Sequence, residues 1–345
     1  MVSLVCVGDI NLKFKDKLSF EKKIIEIFNK SDLRFGNLET VISDLKGIEK
    51  TKAYNFIESK KKLEFLKELN FDILNIANNH TLDYGLNLKK DTKKNILDSN
   101  IKVIGENIDK YDVEIINIKE SKIAFIGIDI FSINNFNEIL TTIKITKQKS
   151  DYLILSIHWG IEFCLCPTIK QRKIAHMLID NGVDIILGHH PHVLQGIEKY
   201  KNGIIIYSLG NFQFKLEKED IDLNQYTDIL KITIDKKNIK IEKYPVFITQ
   251  DGIPTLELDR KQKKKYNEII NKCDYYIKNL NYFIILNEMS NYFIQQHLVA
   301  WKKRKQKNEK NYFFKKVKWF LHPRNVILTT IYFIKKIFRG EYGDN

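Results

Sequence analysis

VDIILGHHPHVLQGIEKYKNGIIIYSLGNFQF, residues 183–214, is the stretch on which fold and chemistry both turn. It opens with a short apolar run, Val183 to Leu187, which stops at Gly188 and three histidines, His189, His190 and His192. Short apolar runs bounded by turn residues are the pattern of buried parallel strands. Ligands of open α/β sheets gather just beyond the carboxyl ends of such strands. Imidazoles on a Gly/Pro turn at that place suit metal ligation, since neutral imidazole is the commonest nitrogen donor to transition metals. A single histidine in a loop is more often merely solvated. Three within four residues at a strand end favour a site.

The same event recurs along the chain. Val2–Val7 is an apolar strand ending in Gly8-Asp9, and Asp32–Gly36 runs into Asn37-Leu38-Glu39. Asp72–Ala77 stops at Asn78-Asn79-His80, and Tyr152–Ile157 halts at His158-Trp159-Gly160. Between them, helical spacing is read over Phe20–Asn29, Ser59–Leu69, Leu86–Ser99, Phe136–Lys147 and Thr168–Asn181. Further strands are read at Ile101–Ile104, Val113–Ile118, Ile123–Ile128 and Ile204–Ser208. Asp228–Ile234 and Ile239–Phe247 form a hairpin across Lys236-Lys237-Asn238. This alternation predicts an α/β sheet with helices on both faces, whose polar strand ends meet on one rim.

The donors assembled there are mixed. Asp9, Glu39 and Asn79 offer oxygen; His158, His189, His190 and His192 offer nitrogen. Such a set suits Mn²⁺, Fe²⁺ or Zn²⁺ rather than Ca²⁺ or structural zinc. It also exceeds what one tetrahedral ion needs, so two divalent ions are expected, with Glu39 as the bridging carboxylate. Two ions roughly 3.5–4 Å apart can clamp the attacking and leaving oxygens of a phosphoryl group. His80, beside ligand Asn79, is the candidate proton or hydrogen-bond donor, and Asp83, three residues on, is placed to orient its ring. Glu162 and Asn211 are candidate substrate contacts; a solvated carboxylate and a turn asparagine are the competing readings. Trp159 is expected as a wall of the rim.

Charge is uneven along the chain. Residues 255–345 hold 20 Lys+Arg against 8 Asp+Glu, whereas the preceding residues hold 37 against 35. A boundary is read near Gly252-Ile253-Pro254, giving residues 1–254 as the main domain and 255–345 as a basic, aromatic-rich helical extension. Helical spacing there covers Asp259–Asn281, Tyr282–Lys307, Asn311–Leu321 and Asn325–Arg339, with lysines interleaved among aromatics in YFFKKVKWFLHPR and VILTTIYFIKKIFR. Helices of that kind bind anionic membrane surfaces; the competing reading is a cap packed on the core. Nucleic acid is disfavoured, since no reader motif is present. Four cysteines do not make a disulfide framework in a chain this long. Cys164-x-Cys166 lacks the second pair that structural zinc needs. MVSLVCVGD reads as a core strand, not a signal peptide, and no run reaches the roughly 17 apolar residues of a membrane span. A cytoplasmic protein, peripheral on the inner membrane face through its tail, is the expectation.

GDINL (8–12), NLET (37–40), ANNHTLDYG (77–85), HWGIEF (158–163), GHHPHVLQGIE (188–198) and YSLGNFQF (207–214) occur in this order. Over about residues 2–250 the set resembles the CapA-type family of capsule and poly-γ-glutamate synthesis proteins, which are similar to calcineurin-like metallophosphoesterases. The resemblance implies a four-layer α/β/β/α metallophosphoesterase-like sandwich and a two-metal site. By position it makes Asp9 the first aspartate and Glu39 the bridge. Asn79-His80 becomes the Asn-His pair, His158 the lone histidine, and His190 and His192 the final pair, with His189 as a substitute. The chain departs from the phosphoesterase pattern at Asn11, where D-x-H would supply a histidine, at Glu39 in place of an aspartate, and in NNHT. The implied function is a two-metal hydrolase acting on a phosphoester in capsule or exopolymer synthesis. Its implied partners are a phosphorylated or polymeric cell-surface precursor and other capsule-synthesis proteins. A metal-containing scaffold that binds polymer without cleaving it is the alternative.

Overall fold

The computed structural model describes residues 1–14, 19–50, 52–105, 112–133, 135–215, 222–236, 238–290, 322 and 325–331. Its first strand, β1 (Val2–Ile10), sets the layering. Successive side chains of a strand point to opposite faces: Leu4 and Cys6 enter one buried cluster, Val5 and Val7 another. A strand apolar on both faces needs cover on both, and the rest of the chain supplies it. First come α1 (Lys22–Asn29), β2 (Leu33–Leu38), the short pair β3 (Val41–Ile42) and β4 (Ile57–Glu58), and α2 (Leu63–Lys67). β5 (Ile73–Asn75), α3 (Leu86–Leu97) and β6 (Lys102–Ile104) complete that stretch. The middle of the chain forms β7 (Val113–Ile118), β8 (Ser121–Asp129), α4 (Phe136–Lys147), β9 (Tyr152–His158), α5 (Ile169–Asp180), β10 (Ile185–His189), β11 (Ile197–Tyr200) and β12 (Gly203–Ile206). It then returns through β13 (Asn211–Gln213), β14 (Tyr226–Asp235), β15 (Asn238–Ile248) and β16 (Pro254–Thr255) to α6 (Arg260–Lys278) and α7 (Tyr282–Ser290).

Two large sheets result. One runs β16-β15-β14-β1-β2-β5-β6, with β13 also paired to β1; the other runs β11-β12-β10-β9-β8-β7. They pack face to face through Leu4, Phe35 and Ile73 of the first and Phe125, Ile154 and Ile185 of the second. Phe35 and Phe125 stack across the seam at 6.0 Å between ring centres. On the outer face of the first sheet lie Ile24 and Phe28 of α1 with Leu63 and Leu66 of α2. Outside the second lie Ile139 and Ile143 of α4 with Ala175 and Leu178 of α5. The layers are therefore α/β/β/α, the arrangement expected.

Local chemistry accounts for where several elements begin and end. Thr168 and Gln171 form a capping box at the start of α5, and Asp259 and Gln262 do the same for α6; each satisfies amide groups that a helix leaves without partners. β5 stops two residues before the expected Ala77 because Asn75 Oδ1 accepts the Ala77 amide at 3.0 Å. The helix expected over Ser59–Leu69 begins as a 3-10 turn, Lys60–Lys62, and only Leu63–Lys67 is α-helical.

At its start, the basic extension is a cap on the core. Tyr266, Ile269 and Cys273 of α6 share a buried cluster with Cys164, Leu165, Cys166 and Val193, joined by Leu286 of α7 and Leu328. Tyr266 donates its hydroxyl to Asp228 Oδ1 at 2.7 Å, and Cys273 Sγ lies 3.3 Å from the Leu194 carbonyl. The helix expected over 311–321 and the ends of those expected over 282–307 and 325–339 lie outside the described residues, while residues 325–331 are helical. Among the described residues no helix is long and apolar enough to cross a membrane. Cys164 and Cys166 are buried free thiols in the apolar cluster, and they join no metal-binding group among the described residues.

Candidate metal centre

Register brings the polar strand ends together. In the first sheet Asp9 is the partner of Asn37 and of Asn211, and Asn37 is the partner of Asn75. In the second, Asp129 is the partner of His158 and His158 of His189. Each sheet thus carries a rung of polar residues at the carboxyl ends of its parallel strands. Side-chain amides tie the first rung: Asn75 donates to Asn37 Oδ1 at 2.8 Å, and Asn37 donates to Asp9 Oδ1 at 2.8 Å. Asn37 and Asn75 were not singled out in the sequence, although each is an asparagine closing an apolar run.

Close backbone approach makes the rim possible. A side chain at Gly8 would place its Cβ 1.9 Å from the Gly210 carbonyl oxygen, the group that accepts the Asp9 amide. His190 and His192, flanking Pro191, both take positive φ, +95° and +57°. Such angles cost a non-glycine residue energy and are kept where surrounding structure imposes them.

Three sets of side chains bring ligand atoms within 4.8 Å of one another: Glu39, His158 and His190; Asp9, Glu39 and His192; and Glu162, His190 and His192. Glu39 is common to the first two, as a bridge requires. His158 Nε2 lies 3.1 Å from Glu39 Oε1 and 2.9 Å from Asn79 Oδ1, so Asn79 reaches the centre as expected. Asp9 Oδ2 is 3.3 Å from His192 Nδ1. His189 stands apart, its Nδ1 at 3.3 Å from Asp9 Oδ1 and its ring outside the three sets.

The electrostatics favour a cation. Both Glu39 oxygens, the Nδ1 atoms of His158 and His190, and both His189 ring nitrogens are buried without a hydrogen-bond partner. Native interiors rarely leave such groups bare. Burial, then the Asp9 charge, drives the Glu39 carboxyl well above its ordinary range. Burial alone would raise Asp9 too, but the imidazoles of His189 and His192, each 3.3 Å from one of its oxygens, outweigh it and hold Asp9 well below. Burial depresses His158 strongly, with the charge of His190 adding to it, and brings His190 down to about 4. Both rings are then neutral at pH 7, the form that binds metals. His192 differs: against burial, the Glu39 charge and the Asp9 hydrogen bond raise it to about 10. Two buried carboxyl groups, of which burial and the Asp9 charge push Glu39 toward its protonated form, thus face one imidazolium; a divalent ion relieves that repulsion and fits this donor set.

His80 and Asp83 pair as expected, Nδ1 to Oδ2 at 2.7 Å. Lys52 closes the chain, its Nζ 2.6 Å from Asp83 Oδ1 and hydrogen-bonded to the Asn79 carbonyl. Nothing in its sequence neighbourhood marked it. Burial lowers the His80 pKa, outweighing the hydrogen bond and charge of Asp83.

Three expectations for substrate contacts change. Trp159 is not a rim wall: it is buried on the helix side of the second sheet and donates Nε1 to the Tyr207 carbonyl at 2.9 Å. Asn211 is fully buried; its Oδ1, 2.9 Å from His192 Nδ1, orients that ring rather than meeting substrate. Glu162, an exposed carboxylate expected to meet substrate, stands with His190 and His192 at ligand distance, so it is also a candidate metal ligand. Asn11 accepts at Oδ1 the Lys13 amide at 3.1 Å and the Lys215 amide at 3.3 Å, while its Nδ2 is buried without a hydrogen-bond partner.

The family described as "Bacterial capsule synthesis protein PGA_cap" matches residues 3–216. The chain is 32% identical over 241 residues to the PGA biosynthesis protein CapA of Bacillus subtilis, covering 62% of this chain and 63% of that protein. It is 34% identical over 208 residues to the capsule biosynthesis protein CapA of Bacillus anthracis, covering 53% and 51%. The match therefore spans less than two thirds of these relatives' length. Among solved structures it is similar to a novel phosphatase from Mycoplasma pneumoniae, with a TM-score of 0.45 and 16% identity, covering 78% of this chain and 99% of that one.

Proposed function

Because the chain belongs to the bacterial capsule synthesis protein family PGA_cap, we propose that it is a metal-dependent hydrolase acting on a phosphoester in capsule or exopolymer synthesis. The observation that carries this reading is the buried cluster of Asp9, Glu39, His158, His190 and His192, with both Glu39 oxygens bare of hydrogen bonds. These residues, with Asn79 and Glu162, would hold two divalent ions (Mn, Fe or Zn). Bound there, such ions polarise a phosphoryl oxygen and offset its charge.

The chain's own groups supply the rest. Asp83 engages His80 Nδ1, which fixes the ring and leaves Nε2 for proton transfer. In its neutral form Nε2 accepts a proton; as an imidazolium beside the Asp83 carboxylate it delivers one to the leaving oxygen. Lys52 holds Asp83 from the other side. Asn37 and Asn211 fix Asp9 and His192 in place. The phosphorylated or polymeric precursor, contact with other capsule-synthesis proteins, and a cytoplasmic site of action on the inner membrane face belong to this reading.

One observation favours the alternative, a metal-containing scaffold that binds polymer without cleaving it. Asn11, where the phosphoesterase pattern has a histidine, offers no imidazole, and its Oδ1 already accepts two backbone amides. Both readings meet in one experiment: metal analysis of the purified chain, then turnover of p-nitrophenyl phosphate and bis-p-nitrophenyl phosphate with Mn²⁺. The hydrolase reading expects His80→Ala to keep its metal and lose about 10²–10⁴-fold in rate. Metal-loaded protein without turnover on either ester overturns it and leaves the scaffold.

A further inference from the structure

Three phenylalanines stand at the rim of the metal centre, where Trp159 was expected. The Phe131 ring lies 4.9 Å from that of His190, edge to face. Phe214 lies 5.0 Å from His192; Phe56 lies 4.3 Å from His80 and edge-on to Phe214 at 5.6 Å. His190 and His192 are themselves 6.0 Å apart, so Phe131 and Phe214 flank that pair. Core packing ordinarily decides where a phenylalanine goes. These three join none of the four apolar clusters among the described residues, whereas Phe163, 6.0 Å from His192, packs on one of them. Phe56 and Phe214 are partly buried, and Phe131 keeps 56% of its surface exposed.

Polar residues of the same rim hold their backbones. The Phe56 amide donates to Asp83 Oδ2 at 3.0 Å, the oxygen that also engages His80. The Phe131 amide donates to Asp129 Oδ1 at 3.0 Å, and Asp129 is the register partner of His158. Phe214 sits between Gln213, whose Oε1 accepts the Leu12 amide at 2.6 Å, and Lys215, whose amide donates to Asn11 Oδ1 at 3.3 Å. An apolar surface anchored in this way loses little further freedom when a ligand meets it, and phenyl faces and edges favour other rings. We propose that the alcohol portion of the phosphoester is a ring with an apolar face, held against Phe131 and Phe214 while the phosphoryl group lies at the metal centre. A short, hydrated chain such as glycerol would leave these rings facing water. The proposal rests on the phosphoester reading above and adds the substrate class.

The test is binding, read by calorimetry on the Mn²⁺-loaded full chain, with phosphonates, in which carbon replaces the ester oxygen and hydrolysis is blocked. Methylphosphonate carries the anion alone; benzylphosphonate and cyclohexylmethylphosphonate add an aromatic or a saturated ring. Both rings are expected to bind about tenfold more tightly than methylphosphonate, and a further gain for benzylphosphonate identifies the ring as aromatic. Phe131→Ala, at an exposed position outside the apolar clusters, is expected to lower that ratio about threefold or more; Phe131→Tyr, which keeps the ring, is expected to retain it. Equal affinity for all three probes, a ring preference that survives Phe131→Ala, or one lost equally in Phe131→Tyr, overturns the inference and leaves the phosphoester reading standing. Failure of every phosphonate to bind sinks both.

Discussion

Glu39→Gln is expected to reverse the order of stability between two buffers. Glu39 is fully buried, and neither oxygen has a hydrogen-bond donor. His158 Nε2 at 3.1 Å lacks the alignment of one, and His192 Nε2 is 3.7 Å away. Asp9 adds a like charge. A buried polar group left without partners costs about 1–3 kcal/mol, and more when charged. Glutamine keeps the volume and removes the charge, so in EDTA the variant is expected to be more stable by about 1–3 kcal/mol. With metal the balance changes sign. An ion bound only by the folded state adds about 4.1 kcal/mol at a concentration 1,000 times its Kd. The variant, without the shared carboxylate, is expected to gain less than about 1 kcal/mol under the same conditions. Urea unfolding of both proteins, in EDTA and in Mn²⁺, measures all four values. If the order is the same in both buffers, Glu39 is not the shared ligand of an ion-binding site.

Three other outcomes follow from single contacts. Burial raises Asp228 to about 6, above its unfolded value, so the folded state binds the extra proton and stability falls as pH rises from about 4 to 6. At about 1.4 kcal/mol per pKa unit the cost at pH 7.5 reaches about 3 kcal/mol; Asp228→Asn should melt higher than wild type at pH 7.5 and level with it near pH 4, and parallel melting curves would count against it. Gly8→Ala drives a Cβ into the Gly210 backbone, which should cost at least about 1–3 kcal/mol and displace Asp9, visible as lost metal in elemental analysis; a variant with full metal content contradicts the close approach. Trp159→Phe should lose about 1 kcal/mol with its hydrogen bond to Tyr207, yet leave Mn²⁺ affinity unchanged, because the ring lies on the far side of the sheet from the centre.

Strand ends were the most legible part of the sequence. Asp9, Glu39, Asn79, His158, His190 and His192 each follow an apolar run, and a parallel sheet turns that one-dimensional signal into a shared rim. What lay on the page as spacing could not give direction. Trp159 and His158 are neighbours in the chain, but alternation sends one to the helices and the other to the metal centre. Glu162 was read through its distance from His158, whereas the Gly160 turn at φ +94° carries it over to His190 and His192. Lys52 was out of reach because its partner Asp83 is 31 residues away. β13, three residues with two amides, and β11, with Glu198 and Lys199, lack the apolar run by which the longer strands were recognised.

The first sheet is interrupted in the chain by the whole of the second. Val2 of β1 pairs with Ile234 of β14, about 230 residues later, while β7 to β12 all lie between. During synthesis at about 5–20 residues per second, one flank of that opening strand waits roughly 10–50 s for its neighbour. A nascent chain therefore exposes an unpaired apolar edge for most of its translation, and pausing, chaperone capture or aggregation in that interval would govern yield more than the stability of the finished protein.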